Sequence, residues 1–575
     1  MDACPVSHAG LFIGRAMDGE RAVVALEGFE MEQGPKSEAA GELYFGCDVR
    51  TIDDSRPVAS AVAVRDGKIA AVGDVEECRG VLGEHREEID LGGGTLLPGF
   101  IDTHIHPVML AYFDMNATLT EAASIADVQE LLREAARKTA PGAWVTGLDF
   151  NDQKLREKRI PTRHELDAAV PDIPVIVVRY DGHMLIANTK AIEAAGVTAA
   201  SPDPAGGFID REGDGFPAGP FREAAAQVVI SAAPFPDLAV FAESARRTFQ
   251  RLASRGVTSI GAVLQTDDEG PAGSQGAYDL LAMQLVLGSV QQSVFGMLIA
   301  RDMEKITEAM GTPLQQPDDA GHRIGAMKIF ADGSLGSRTA YLQKSFSDEP
   351  ANSGFMIFDD DELYRRMKAA HCAGLQVATH AIGDAAVRDI VNLYERLSIE
   401  FSRDDARHRI EHASVLDERI IDDMARLGIV AAVTPLYIHA EKEWLGERLG
   451  DARLKWTYPF RSLLDAGVRV AASSDAPVES TDVMHAIQCC VTREGFETGQ
   501  SVSAAEAVRM YTIDAAFAQH EDAVKGSITP GKRADMVLLD ADPTMVAAEK
   551  ISLIAVRRTI SGGRTCFRLE GAGAR

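Results

Sequence analysis

A chain of 575 residues exceeds one typical compact unit and calls for one large domain of catalytic size with smaller additions. Its formal net charge of −28 repels nucleic acid and anionic membrane surfaces, so neither is expected as a partner. At 46% hydrophobic and 25% charged the composition is that of a folded globular protein, and seven scattered cysteines (Cys4, Cys47, Cys78, Cys372, Cys489, Cys490 and Cys566) without a Cys-Xaa-Xaa-Cys pair exclude a disulfide scaffold.

Residues 1–40 form an N-terminal extension with no clear structural signal. Their start, "MDACPVSHAGLFIGRAMDGERAVV", lacks the basic opening and unbroken apolar core of a secretory signal. No apolar run of about 18 residues occurs elsewhere, so a cytoplasmic location is expected. From 41 to 97 short strands alternate with turns. In "PVASAVAVRDGKIAAVGD" the pair Asp66-Gly67 marks a hairpin. Residues 526–575 resume that style in "KGSITPGKRADMVLLDADP" and "IAVRRTISGGR". The two chain ends are therefore expected to pair into one small β-sandwich domain.

The stretch "LLPGFIDTHIHP" follows. In an extended strand Asp102, His104 and His106 share one face while Ile101, Thr103 and Ile105 share the other, and Pro107 ends the pairing. Two neutral imidazoles on one face form a ready grip for a metal such as zinc. Residues from about 114 to 238 are too many for one barrel helix and read as an insertion after this first strand. They carry strands and helices of their own ("IPVIVVRYDGHMLIANTKAIEAAGV") and a Gly- and Pro-rich loop ("SPDPAGGFIDREGDGFPAGP").

From about Arg251 to Pro477 one pattern recurs: an amphipathic helix, a glycine C-cap, then a short buried strand. It is seen at Gly256, Gly374, Gly428 and Gly467. Leu416, Ile420, Met424 and Leu427 fall on one stripe of the helix before Gly428. With "LLPGFIDTH", "SVFGMLIA", "RIGAMKIFADG" and "HRIEHASV" the apolar strands number eight. This predicts an α/β fold, a (β/α)8 TIM-type barrel over 98–525 that contains the insertion. An open doubly wound sheet competes, but no Gly-rich phosphate fingerprint follows the first strand.

Barrel chemistry sits at the C-terminal strand ends. There the sequence supplies Lys328 in "GAMKIFADGS", His380 in "ATHAIGD", His412 in "RIEHA" and Asp475 in "ASSDAPV", besides His104 and His106. Each alone has a structural alternative. A lysine inside an apolar strand, however, must be neutralised or paired, and coincidence across five strand ends is improbable. Two histidines and an aspartate suit one ion and the later two histidines a second. The bridging anion would come from Lys328 carboxylated by carbon dioxide. Two divalent ions at roughly 3.5 to 4 Å would acidify a shared water near neutral pH, and Asp475 would shuttle its proton.

These motifs, with "AVAVRDGKIAAVG", "DGHMLIANTKAI" and "GSITPGKRADMVLLD", resemble the amidohydrolase superfamily. Within it they resemble the amidohydrolase 3 branch of YtcJ-like proteins and N-substituted formamide deformylases, over roughly residues 43–565. The resemblance implies metal ligation by His104, His106, His380 and His412, a carboxylated bridging Lys328, and Asp475 as ligand and proton shuttle. It also implies two divalent ions, zinc by expectation, and hydrolysis of an amide, N-formyl or cyclic-amide C–N bond of a small molecule. Relatives commonly carry His-Asp after "GVTSI", where this chain has Gly261-Ala262, so a pocket feature is expected to differ.

Other residues near such a centre carry weaker signals. His183 either reaches the pocket from the insertion or closes a strand. Arg338 either holds a substrate carboxylate or carbonyl or pins a loop. Asp102 reads as a supporting carboxylate rather than a ligand. A homodimer is the assembly in view. Two competing functions stand beside the hydrolase. One is a mononuclear deaminase of a ring amine, against which "HAIGD" offers Asp384 where that branch places glutamate. The other is a non-catalytic regulatory barrel.

Overall fold

The computed structural model describes residues 41–152, 154–179, 184–204, 207–234, 237–266, 279–312, 314–315 and 321–569. His183 lies outside them. The described residues separate into two compact units, one within Pro107–Thr248 and Gln265–Val286, the other within 41–106, 249–264 and 287–569.

In the second unit eight parallel strands follow one another in sequence order: β1 (Phe100–Ile105), β2 (Val257–Gln265), β3 (Ser293–Ile299), β4 (His322–Phe330), β5 (Gln376–Ala381), β6 (Arg409–His412), β7 (Val430–Val433) and β8 (Val470–Ala472). This is the predicted (β/α)8 barrel, nearly closed by strand pairing alone. The seam between β8 and β1 is finished by bonds from the segment after β8. Thr103 Oγ1 donates to Ala472 O (2.9 Å), Asp475 N to His104 O (2.8 Å) and His106 N to Ala476 O (2.9 Å), while Ser474 N donates to Asp102 Oδ1 (2.9 Å). The anticipated supporting carboxylate thus helps close the barrel.

The helix-to-strand glycines Gly256, Gly374, Gly428 and Gly467 all have positive φ, between 65° and 84°, which a residue without Cβ adopts at little cost. They fix where each helix stops, and so where each strand starts. Ile420 and Met424 of the Glu418–Leu427 stripe are buried, as the spacing predicts.

The chain ends share one mixed sheet of eight strands. Gly41–Arg50 pairs with Arg86–Asp90 through its first half and with Thr95–Pro98 through Asp48 and Val49. Thr95–Pro98 in turn pairs with Met536–Leu539 from the C-terminus. Its core combines Val62, Val64 and Leu96 with Met536, Leu538 and Ile560. The Asp66-Gly67 hairpin forms, with both residues at positive φ between Arg65 and its partner Lys68. The stretch "LLPGFIDTH" is therefore two strands, Thr95–Pro98 in the terminal sheet and Phe100–Ile105 in the barrel, divided at Gly99.

The first unit holds a six-stranded mixed sheet within Ala117–Glu223. It has two apolar clusters, around Leu185 and Phe221 and around Leu132 and Leu166. Pro107 opens the helix Pro107–Met115, where a missing N–H costs nothing. Among the described residues no helix is long and apolar enough to cross a membrane.

Candidate metal centre

His104 on β1 and His106, the residue just after it, come together, and Asp475 reaches them from three residues past β8. Asp475 Oδ1 lies 3.2 Å from His106 Nε2 and 3.4 Å from His104 Nε2. Lys328, on β4, brings Nζ to 3.3 Å from His104 Nε2. The His380 and His412 rings, from β5 and β6, lie 4.6 Å apart between centroids, and the His412 ring is 5.1 Å from that of His104. The barrel thus gathers all six residues singled out at the strand ends. His412 and Asp475 both sit at positive φ, 72° and 55°, a strained backbone that turns their side chains at the strand ends.

The donor atoms fit a divalent metal. Asp475 Oδ1 and His412 Nδ1 are buried without a hydrogen-bond partner, although a buried lone pair normally finds one. His104, His106 and Asp475 alone offer three ligand atoms within 4.8 Å of one another. The rings are also oriented from behind. His104 Nδ1 meets Glu411 Oε2 at 2.5 Å, which leaves Nε2 facing the centre. His380 Nε2 donates to Gly333 O at 3.1 Å, which leaves Nδ1 free. Such outer bonds select the tautomer a metal requires.

Burial dominates the protonation states. It pushes His104 down to about 4, with Lys328 adding to the effect, and His380 down to about 3. His412 is likewise held well below its ordinary value by burial and by His380. Burial pushes Lys328 down to about 8 against the pull of Glu411 and Asp475. For Asp475 burial acts upward, but His104, His106 and His412 outweigh it and keep the carboxylate charged. Neutral imidazoles around an anionic carboxylate are the state that binds a divalent cation.

Two supporting residues escaped the sequence reading. Glu411, fully buried within β6, accepts from Arg409 Nε (2.8 Å) and Nη2 (2.9 Å), and Arg409 Nη2 also donates to Thr103 O (3.0 Å). The available signal was an acid within a short strand, between Ile410 and His412 in "RIEHA". Tyr437 donates from its hydroxyl to Asp475 Oδ2 at 2.6 Å and stacks on His412, with centroids 5.6 Å apart and planes at 19°. Nothing near Tyr437 in sequence marks it.

Arg338 is paired with a loop carboxylate. Its Nε and Nη2 donate to Asp348 Oδ2 at 3.2 and 2.8 Å, and Arg448 binds the same oxygen. Asp384 opens the helix Asp384–Glu400 and accepts from Gln343 N at 2.9 Å. At Gly261 a Cβ would meet Thr103 O at 2.1 Å, so a side chain cannot stand there on this backbone.

The model of the Amidohydrolase family matches residues 87–567. The chain is 28% identical to the putative amidohydrolase YtcJ of Bacillus subtilis, over 91% of this chain and 99% of that one. It is 31% identical to an N-substituted formamide deformylase of Arthrobacter pascens, over 92% of this chain and 99% of that one. An uncharacterized metal-dependent hydrolase from Pyrococcus horikoshii superposes with a TM-score of 0.74 at 26% identity, over 88% of this chain and 99% of the other. With the barrel and its strand-end cluster, these likenesses establish that the chain belongs to the amidohydrolase family of metal-dependent hydrolases.

Proposed function

We propose that the protein hydrolyses a C–N bond of a small amide, N-formyl or cyclic-amide compound at a two-metal centre. His104, His106 and Asp475 would hold one divalent ion, zinc by preference, and His380 and His412 the other. Lys328 would bridge them as a carbamate. The observation that carries this reading is the buried, unpartnered Asp475 Oδ1 beside the imidazole nitrogens of His104 and His106.

Lys328 is suited to carboxylation because burial pushes its ammonium down to about 8, leaving neutral amine available near neutral pH. The neutral Nζ adds to carbon dioxide, an N–C bond forms and one proton leaves. A neutral side chain thus becomes an anion. When bound, the metals supply Lewis acidity toward the scissile carbonyl and lower the pKa of the attacking water.

Tyr437 donates to Asp475 Oδ2 and so fixes the carboxylate with Oδ1 turned toward the imidazole nitrogens. As water adds to the carbonyl carbon, the Asp475 carboxylate would take its proton and pass it to the nitrogen when the C–N bond breaks. A carboxylic acid and an amine result, as two molecules from an acyclic amide or formamide and as one ring-opened molecule from a cyclic amide. The likeness to an N-substituted formamide deformylase supports the N-formyl class in particular.

The test is a hydrolysis screen of N-formyl, N-acyl and cyclic amides with metal analysis, before and after chelation. About two ions per chain and chelator-sensitive release of amine are expected. Undiminished turnover by metal-free protein would refute the mechanism.

A further inference from the structure

Outside the centre, His439, His485 and Glu494 bring ligand atoms within 4.8 Å of one another. We propose that these three residues form a separate binding site for a divalent transition metal such as zinc, cobalt or nickel.

His439 lies on the helix Tyr437–Leu449 and His485 in the first turn of the helix Val483–Thr492. Glu494 follows that second helix. Arg493 and Glu494 both take left-handed backbone, with φ of 51° and 49°, and the chain doubles back. The carboxylate then returns to meet the imidazole nine residues earlier.

His439 Nδ1 lies 2.9 Å from both Glu494 oxygens, and His485 Nε2 lies 3.1 Å from Oε1. The two rings cross nearly at right angles with centroids 4.9 Å apart. Donors that each lie about 2.1 Å from one ion are separated by roughly 3 Å or a little more, so the cluster is close to coordination geometry. Two imidazoles and one carboxylate select zinc-like metals over magnesium or calcium, which prefer all-oxygen sites. The Glu494 side chain is mostly covered while His439 is 53% exposed, which leaves an open side for water ligands and for entry.

One cation already competes for the carboxylate: Lys442 Nζ is paired with Glu494 Oε2. A metal must displace it. This distinguishes a metal site from a plain hydrogen-bonded cluster, because removing the lysine should strengthen the first and only loosen the second.

The experiment titrates the metal-loaded protein with zinc and counts bound ions by calorimetry and elemental analysis. Wild type should take up one ion per chain at micromolar free zinc beyond the number held by Glu494→Gln or His439→Ala, with hydrolysis unchanged in both variants. Lys442→Met should bind that ion roughly tenfold more tightly, since it loses both a competing pair and a nearby like charge. His439→Ala alters an exposed side chain and guards against a folding artefact in Glu494→Gln. If wild type takes up no more metal than these two variants, whatever Lys442→Met does, the proposal is overturned.

Discussion

Glu411 Oε2 lies 2.5 Å from His104 Nδ1, so a carboxylate on β6 decides which nitrogen of a β1 imidazole faces the centre. Arg409, equally buried, clamps the same carboxylate with two bonds. Glu411→Gln keeps the shape but removes the charge that both partners answer to. Metal affinity should fall about 10- to 100-fold, the usual cost of losing a ligand's outer partner. Leaving Arg409 buried without a counter-charge should also cost about 3–5 kcal/mol of stability. Metal retained after dialysis and a urea unfolding curve measure the two effects. Unchanged metal content would mean that Glu411 serves the fold alone.

Lys328 is 1% exposed and 3.3 Å from His104 Nε2, in the middle of the proposed ligand set. Lys328→Met conserves volume and cannot form a carbamate. Metal content should drop by at least one ion per chain and hydrolysis by roughly a thousandfold or more. Without metal the variant should be at least as stable as wild type, because burying an amine already costs the native protein free energy. Elemental analysis and unfolding of the metal-free proteins test both halves. Full metal occupancy in the variant would remove lysine from the ligand set.

Tyr437→Phe keeps the ring stacked on His412 and deletes only the bond to Asp475 Oδ2. Metal should stay bound. The carboxylate would then be free to rotate, so kcat should fall about 10- to 100-fold with KM little changed, the pattern of a contact that matters in the transition state. Equal losses in kcat and metal content would instead make Tyr437 a support of the metal.

What the sequence made legible followed from periodicity and punctuation. Apolar strands preceded by glycines at positive φ fix the barrel, and His104, His106, Lys328, His380, His412 and Asp475 stand out because polar groups at strand ends need a reason. Glu411 and Tyr437 were not legible as supports. Their roles depend on His104 and Asp475, 307 and 38 residues away, and only the closed barrel supplies those partners. The sequence divides Arg338 evenly between two roles, and its partner Asp348 becomes visible only in the folded chain. The Gly261 substitution became intelligible only through the close approach of the β1 backbone at Thr103.

His322 begins β4, six residues and about 20 Å of strand from Lys328, so its titration can be read apart from the metal centre. Burial, with Arg533 and Lys525 nearby, pushes it down to about 4, and its Nδ1 has no hydrogen-bond partner. The unfolded chain titrates this histidine near 6.5, so between about 4 and 6.5 the unfolded state binds more protons than the folded one. Stability from this group is therefore complete above that window and is lost as pH falls through it, by on the order of 2–3 kcal/mol. Buried carboxyls with raised values, such as Glu441 at about 7, act in the opposite sense and complicate the total. The comparison that isolates His322 is metal-free wild type against His322→Gln, unfolded in urea at successive pH values. The variant's stability should fall less steeply between pH 6.5 and 4, and parallel curves would show that His322 takes up its proton equally in both states.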